Sequence, residues 1–217
     1  MTRREIKVYQ ELMGDNAHWA QQTRDLLAKQ QLAMINLIGS PGCGKTALLE
    51  RLAEQPDLRF AVLEGDIETT NDAERLARKN VLASQLLTKG SCHLEAKLVH
   101  HALRDLPLAE LDLVVVENVG NLVCPAEFDI GEQAKIAVLS VTEGEDKPLK
   151  YPLLFREAKA VILSKIDLLP HLRFDLEACI ANVRTINGAV PLFHLSSASG
   201  AGMDDFTAWL GKEILHG

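Results

Sequence analysis

Gly39-Ser-Pro-Gly-Cys-Gly-Lys-Thr46 decides the fold of this 217-residue chain. It matches G-x-x-x-x-G-K-[ST], the loop that cradles the phosphates of a nucleoside triphosphate. Met34-Ile-Asn-Leu-Ile38 before it is short and apolar and reads as a buried strand, and Ala47-Leu-Leu-Glu-Arg-Leu52 after it reads as a helix. An ordinary glycine turn is the competing reading, and it explains neither flank. Gly39, Gly42 and Gly44, with Pro41 and Cys43 among them, let the backbone curl so that successive N–H groups converge on phosphate oxygens. The helix N-terminus adds the positive end of its dipole. Lys45 is placed to reach the β- and γ-phosphates, and the Thr46 hydroxyl to bind Mg²⁺.

Outward from this loop, apolar runs alternate with helical stretches. Strands are expected at 60–63, 113–117, 134–141, 160–163 and 190–195, and helices at 71–79, 93–104, 175–186 and 203–215. Residues 1–30 read as an N-terminal helical segment of one or two helices, and 31–217 as a single P-loop GTPase domain. Near-continuous apolar strands separated by helices predict an α/β fold of the P-loop NTPase kind, with a mostly parallel sheet covered on both faces. Ligands in such folds bind at the carboxyl ends of the strands.

Composition narrows the partners. Hydrophobic residues make up 47% and charged residues 24%, as in a soluble globular protein. Lys and Arg number 23 against 30 Asp and Glu, a net charge of −7 that argues against nucleic acid or a membrane surface as partner. No apolar run approaches the roughly 20 residues of a membrane span. The start, Met1-Thr-Arg-Arg-Glu-Ile-Lys, lacks a secretory apolar stretch, so the cytoplasm is the expected location. There Cys43, Cys92, Cys124 and Cys179 are thiols or metal ligands rather than disulfides.

Four further segments fit a GTPase site. Strand 113–117 ends in Glu117-Asn-Val-Gly120; the carboxylate is expected to hold Mg²⁺ through water, and the Gly120 N–H to meet the γ-phosphate. Asp66, after strand 60–63, is a candidate to bind Mg²⁺ or orient the attacking water. Ser164-Lys-Ile-Asp167 resembles the guanine motif Asn-Lys-x-Asp. Asp167 would accept from guanine N1–H and the exocyclic amine, donors that adenine lacks, and the stem of Lys165 would cover the base. Ser164 stands where an Asn usually braces the loop. In Ser196-Ser-Ala-Ser199, a backbone N–H of Ser197 or Ala198 is expected at guanine O6. No arginine is evidently placed as a finger in cis, so turnover is expected to be slow.

Cys92-His93 and Cys124 offer thiolate and imidazole, which suit Zn²⁺ or Ni²⁺. If 93–104 is helical, His100 returns near the face of His93, about 10 Å along the axis, too far to share one ion easily. It could then serve a second ion or another subunit. The bland alternative is that these cysteines are small buried hydrophobes, as expected for Cys179 among Leu176, Ile180 and Val183. Three ligands are one short of a closed tetrahedral site, which suggests a labile site or one completed across a dimer.

Taken together, the chain resembles the HypB family of GTPases that assist nickel insertion into [NiFe]-hydrogenase. The matching segments are Gly39–Thr46, Glu64–Leu76, Gly90–Leu94, Glu117–Asp129, Ser140–Pro152 and Ser164–Pro170. The resemblance covers about residues 20–215. It implies GTP hydrolysis, a GTP-promoted homodimer, and a Zn²⁺ or Ni²⁺ site of Cys92, His93 and Cys124 at its interface. It also implies two partners, a nickel metallochaperone and the hydrogenase large subunit. Three departures stand out: Ser164, Cys43 where Ser is usual, and an N-terminal region with no cysteine before Cys43 and only His18, so that tight nickel storage is not expected. Urease-type nickel-insertion GTPases resemble the chain in the phosphate loop but typically carry Cys-Pro-His. A metal carrier that uses nucleotide only as a switch is the non-enzymatic alternative.

Overall fold

The computed structural model describes residues 3–66, 71–87 and 90–216, and side chains from residue 13 onward except those of 66 and 71–73. Seven strands form one sheet: β1 Ala33–Gly39, β2 Phe60–Asp66, β3 Leu82–Leu87, β4 Leu113–Glu117, β5 Ala134–Ser140, β6 Ala158–Ser164 and β7 Leu192–His194. Their order is β3-β2-β4-β1-β5-β6-β7, and every pairing is parallel. The connecting helices are α1 Arg3–Gln30, α2 Lys45–Leu52, α3 Asn71–Ala77, α4 Ala96–Leu103, α5 Cys124–Glu127, α6 Lys147–Lys150, α7 Pro152–Glu157, α8 Leu176–Ile186 and α9 Met203–Leu210. Parallel strands need such crossovers, which cover both faces of the sheet.

β1 shows how sequence becomes layers. Alternate side chains point to opposite faces. Ile35 and Leu37 join Leu48, Leu49 and Phe206 in the core beneath α2 and α9. On the other face Met34 packs with Leu27 of α1 and Val99 of α4, and Ile38 with Phe155 and Val183. Each such side chain, once buried, contributes about 1.5–3 kcal/mol. The N-terminal helix is therefore tied into the core through Leu27 and the buried Thr23. Among the described residues no helix is long and apolar enough to cross a membrane.

The short helices α5, α6 and α7 were not expected from the sequence, and two further elements differ from it. β3 was not foreseen. It is an edge strand whose central Ser84 and Gln85 interrupt any apolar run. The helix expected at 93–104 begins only at Ala96, and Cys92 to Glu95 lie in an irregular segment. The helical-face argument linking His93 to His100 therefore lapses, because His93 is not on the helix.

The sheet also fixes how closely the phosphate loop can lie. A Cβ on Gly39 would sit 2.5 Å from Cys43 Sγ and 2.5 Å from the Val138 carbonyl oxygen. The carbonyl belongs to β5 and cannot yield. Gly39→Ala is expected to cost about 1–3 kcal/mol. That lowers Tm by about 2–12 °C, read by calorimetry.

Candidate functional site

The carboxyl ends of β1, β2 and β4 frame a cleft of about 520 Å³ lined by the phosphate loop, Lys45, Thr46, Glu117 and Gly120. Gly42 and Gly44 have φ of 72° and 100°, the left-handed region that glycine reaches without strain. Cys43, between them, is buried inward, and burial pushes its thiol up to about 11. It is therefore a packing residue rather than a thiolate.

Lys45 is 6% exposed, with Nζ 3.4 Å from both the Gly39 and Ser40 carbonyl oxygens. The Thr46 hydroxyl donates to Glu117 Oε1 at 2.9 Å. Two hard oxygen donors thus converge at the point where a divalent cation bound to the phosphates would sit, which fits Mg²⁺. Gly120 is held close: a Cβ there would meet Pro41 Cγ at 2.6 Å. The side chain of Asp66, also expected at this site, lies outside the described residues.

Sequence reasoning missed Arg75. It lines the same cleft, and Glu50 holds its guanidinium through contacts of 3.0 and 2.6 Å. The structure thus adds to the cleft an arginine that the sequence reading had not singled out. Arg75 lies within Glu64–Leu76, one of the segments that carry the resemblance, but no phosphate-binding motif there marks it.

At the ends of β6 and β7 the second half of the site assembles. Ser164 donates through Oγ to the Cys43 carbonyl at 2.6 Å, so the shorter side chain still braces the phosphate loop. Lys165, at φ 61°, donates to the Gly42 carbonyl at 2.6 Å and lines the cleft. Asp167 is exposed, and its Oδ1 accepts from Ser196 Oγ at 2.5 Å. Ser196 in turn accepts from the Ser199 N–H at 3.1 Å. Ser197 and Ala198 follow in the same turn, half-buried and exposed. Ser196 as the residue that aims Asp167 was not read from the sequence.

Cys92, His93 and Cys124 come together, with their ligand atoms all within 4.8 Å of one another. The two sulfurs are 2.9 Å apart, and Cys92 Sγ is 3.6 Å from His93 Nδ1. The ring of His93 stacks on Phe128 at 3.9 Å, and its Nε2 is buried without a hydrogen-bond partner. Burial keeps His93 below the usual imidazole range, hence neutral and able to ligate. The hydrogen bond with Cys124, together with burial, raises the Cys92 thiol. Two thiols and a neutral imidazole suit Zn²⁺ or Ni²⁺.

His100 is not in this cluster. Its Nδ1 is 3.3 Å from Thr23 Oγ1, and its ring lies 5.2 Å from that of Trp19, so it joins α4 to α1. The loop after Cys124 is also tied to α1: Arg24 grips the Asp129 carboxylate at 2.7 and 2.6 Å. Burial raises that carboxyl, but Arg24 and the Gly131 N–H prevail and hold it below its usual range.

Residues 33–194 match the family model described as CobW/HypB/UreG, nucleotide-binding domain. The chain is 47% identical to the hydrogenase maturation factor HypB of Azotobacter vinelandii over 97% of its own length and 70% of that protein's. It is 37% identical to the hydrogenase/urease maturation factor HypB of Helicobacter pylori, covering 97% and 88% of the two chains. A crystal structure of HypB from Helicobacter pylori in complex with nickel superposes with a TM-score of 0.89 at 38% identity, over 92% of this chain and 94% of that one. With its phosphate loop and seven-stranded parallel sheet, the chain belongs to the CobW/HypB/UreG family, among the HypB hydrogenase maturation factors.

Proposed function

We propose that this protein hydrolyses GTP, in the cytoplasm, and uses the nucleotide to control nickel held by Cys92, His93 and Cys124 for insertion into [NiFe]-hydrogenase. One observation carries the reading: a single short segment joins the two sites. Glu117, at 2.9 Å from Thr46 Oγ1, stands at one end of it, and Cys124 of the metal cluster at the other. Mg²⁺, bound by Thr46 and Glu117, would supply charge neutralisation at the β- and γ-phosphates. Lys45 and the loop amides bind and orient those phosphates, and Gly120 senses the γ-phosphate through its N–H.

Three ligands from one chain leave a tetrahedral site one short. A GTP-promoted homodimer closes it with residues of a second copy. Nickel then passes from a nickel metallochaperone to the hydrogenase large subunit. The relatives' names support the hydrogenase assignment. The Helicobacter pylori relative, named for both hydrogenase and urease, supports urease as a second recipient. The same cluster also accepts Zn²⁺.

The test is titration of Ni²⁺ and Zn²⁺ into wild type and Cys92→Ala/Cys124→Ala, with Mg-GDP and with a non-hydrolysable GTP analogue, alongside phosphate release and mass in solution. Outer-shell changes at metal sites cost roughly 10–100-fold in affinity, so loss of both thiols should cost more. Wild type should bind nickel differently in the two nucleotide states and dimerise with the analogue. Metal affinity indifferent to nucleotide and cysteines would remove the proposed mechanism. Absence of phosphate release would leave a carrier rather than an enzyme.

A further inference from the structure

Asn36 stands in the middle of β1, fully buried, on the face that Met34 and Ile38 share. A buried amide costs stability unless its donors and acceptors are satisfied. Its Oδ1 accepts from Asn118 Nδ2 at 3.1 Å, and its Nδ2 donates to Glu132 Oε1 at 3.3 Å. Asn118, 2% exposed, uses its own Oδ1 to accept two backbone N–H groups, from Val119 at 3.0 Å and Leu94 at 3.3 Å. These partners leave each amide one orientation. Beyond Asn36 the chain of contacts continues: Lys135 lies 3.8 Å from Glu132 Oε1 and donates to the Ala126 carbonyl at 2.6 Å.

The ends of this chain are informative. Asn118 follows Glu117, the residue bonded to Thr46. Leu94 follows His93, and Ala126 is two residues past Cys124. A buried polar path therefore begins beside the magnesium carboxylate and ends against the backbone on both sides of the metal cluster. Its middle, Asn36, is in the central strand, paired on both sides. Both neighbouring strands hold it in register. The Leu94 N–H belongs to the irregular segment that carries Cys92 and His93, and the Leu94 side chain is fully buried.

We propose that the Asn118–Asn36 amide pair is the positioning element through which nucleotide state at Glu117 reaches Cys92 and His93. This rests on the reading that nucleotide and metal are coupled. A nucleotide-dependent change at Thr46 and Glu117 would be felt at Asn118, the next residue, whose N–H also donates to the Leu37 carbonyl of β1 at 3.0 Å. Asn36 anchors the Asn118 side chain, and the change reaches the Leu94 N–H through Asn118 Oδ1. Neither asparagine need touch the metal.

The test titrates Ni²⁺ by its thiolate charge-transfer absorption into full-length wild type, Asn118→Ala and Asn36→Ser, each with Mg-GDP and with a non-hydrolysable GTP analogue. Coupled sites typically differ about 5–150-fold in affinity between states. In both variants that ratio should fall to within about twofold while nickel and nucleotide still bind. A merely structural role would lower affinity equally in both states and preserve the ratio. A wild-type ratio that survives in the variants overturns the proposal alone; a wild-type ratio of one overturns the coupling as well. A second measurement needs no variant: amide exchange at Leu94 should differ between the two nucleotide states of wild type, and identical protection would overturn the proposal.

Discussion

Lys45→Ala should reduce GTP turnover by at least about 10²–10³-fold, the cost of removing one preorganised donor from a site of developing negative charge. The apo fold should survive. Lys45 is 6% exposed, and among the described residues its ammonium contacts only two carbonyl oxygens, both at 3.4 Å. Among the described residues no carboxylate lies within ion-pair range of it. A buried cation so poorly matched is costly until an anion arrives. Alanine removes that cost, so Tm of the nucleotide-free protein should hold or rise while GTP no longer stabilises it. Phosphate release and melting curves with and without nucleotide measure both. Undiminished turnover would remove the assignment of the loop.

The same tension between what a residue costs and what it does explains which parts of this molecule were legible in its sequence. The five long apolar strands were visible because burial on both faces leaves a continuous run, as in Leu113-Val-Val-Val. β3 was hidden because an edge strand tolerates Ser84 and Gln85. The phosphate loop was legible because its chemistry is local, fixed by eight consecutive residues. Residues that act across the fold were not. Arg75 reaches the cleft from α3, and Ser196 aims Asp167 from 29 positions away. The departure at Ser164 acquires a physical meaning only when its hydroxyl is seen 2.6 Å from the Cys43 carbonyl. Asn36 carried one signal, a lone amide inside an apolar strand, and its partners at 118 and 132 are distant in sequence. Cys92, His93 and Cys124 were legible as metal-binding types. Their convergence within 4.8 Å depends on the irregular segment before α4, which periodicity misread as helix.

Asp167→Asn should exchange the base preference from guanine to xanthine. The wild-type carboxylate presents two acceptors, matching guanine N1–H and its exocyclic amine. Its aim is set by Ser196, which is fully buried and donates to Oδ1 at 2.5 Å. That hydroxyl uses one lone pair of one oxygen and leaves the rest of the carboxylate for the base. Adenine offers neither donor, and a site whose polar groups are left unpaired rejects such a ligand by as much as about 10⁴–10⁵. An asparagine replaces one acceptor with an NH₂, which opposes the guanine amine but donates to the xanthine O2. GTP affinity should therefore fall by two or more of those powers of ten, and xanthosine triphosphate should gain. Ser196→Ala should weaken GTP by only about tenfold, the worth of roughly 1.4 kcal/mol, because it loosens the carboxylate without changing its chemistry. Competition binding of GTP, ATP and xanthosine triphosphate to the three proteins reads all of this. Equal wild-type affinity for ATP and GTP would end the assignment of Asp167, and an Asp167→Asn protein that still prefers GTP would place base recognition elsewhere in the site.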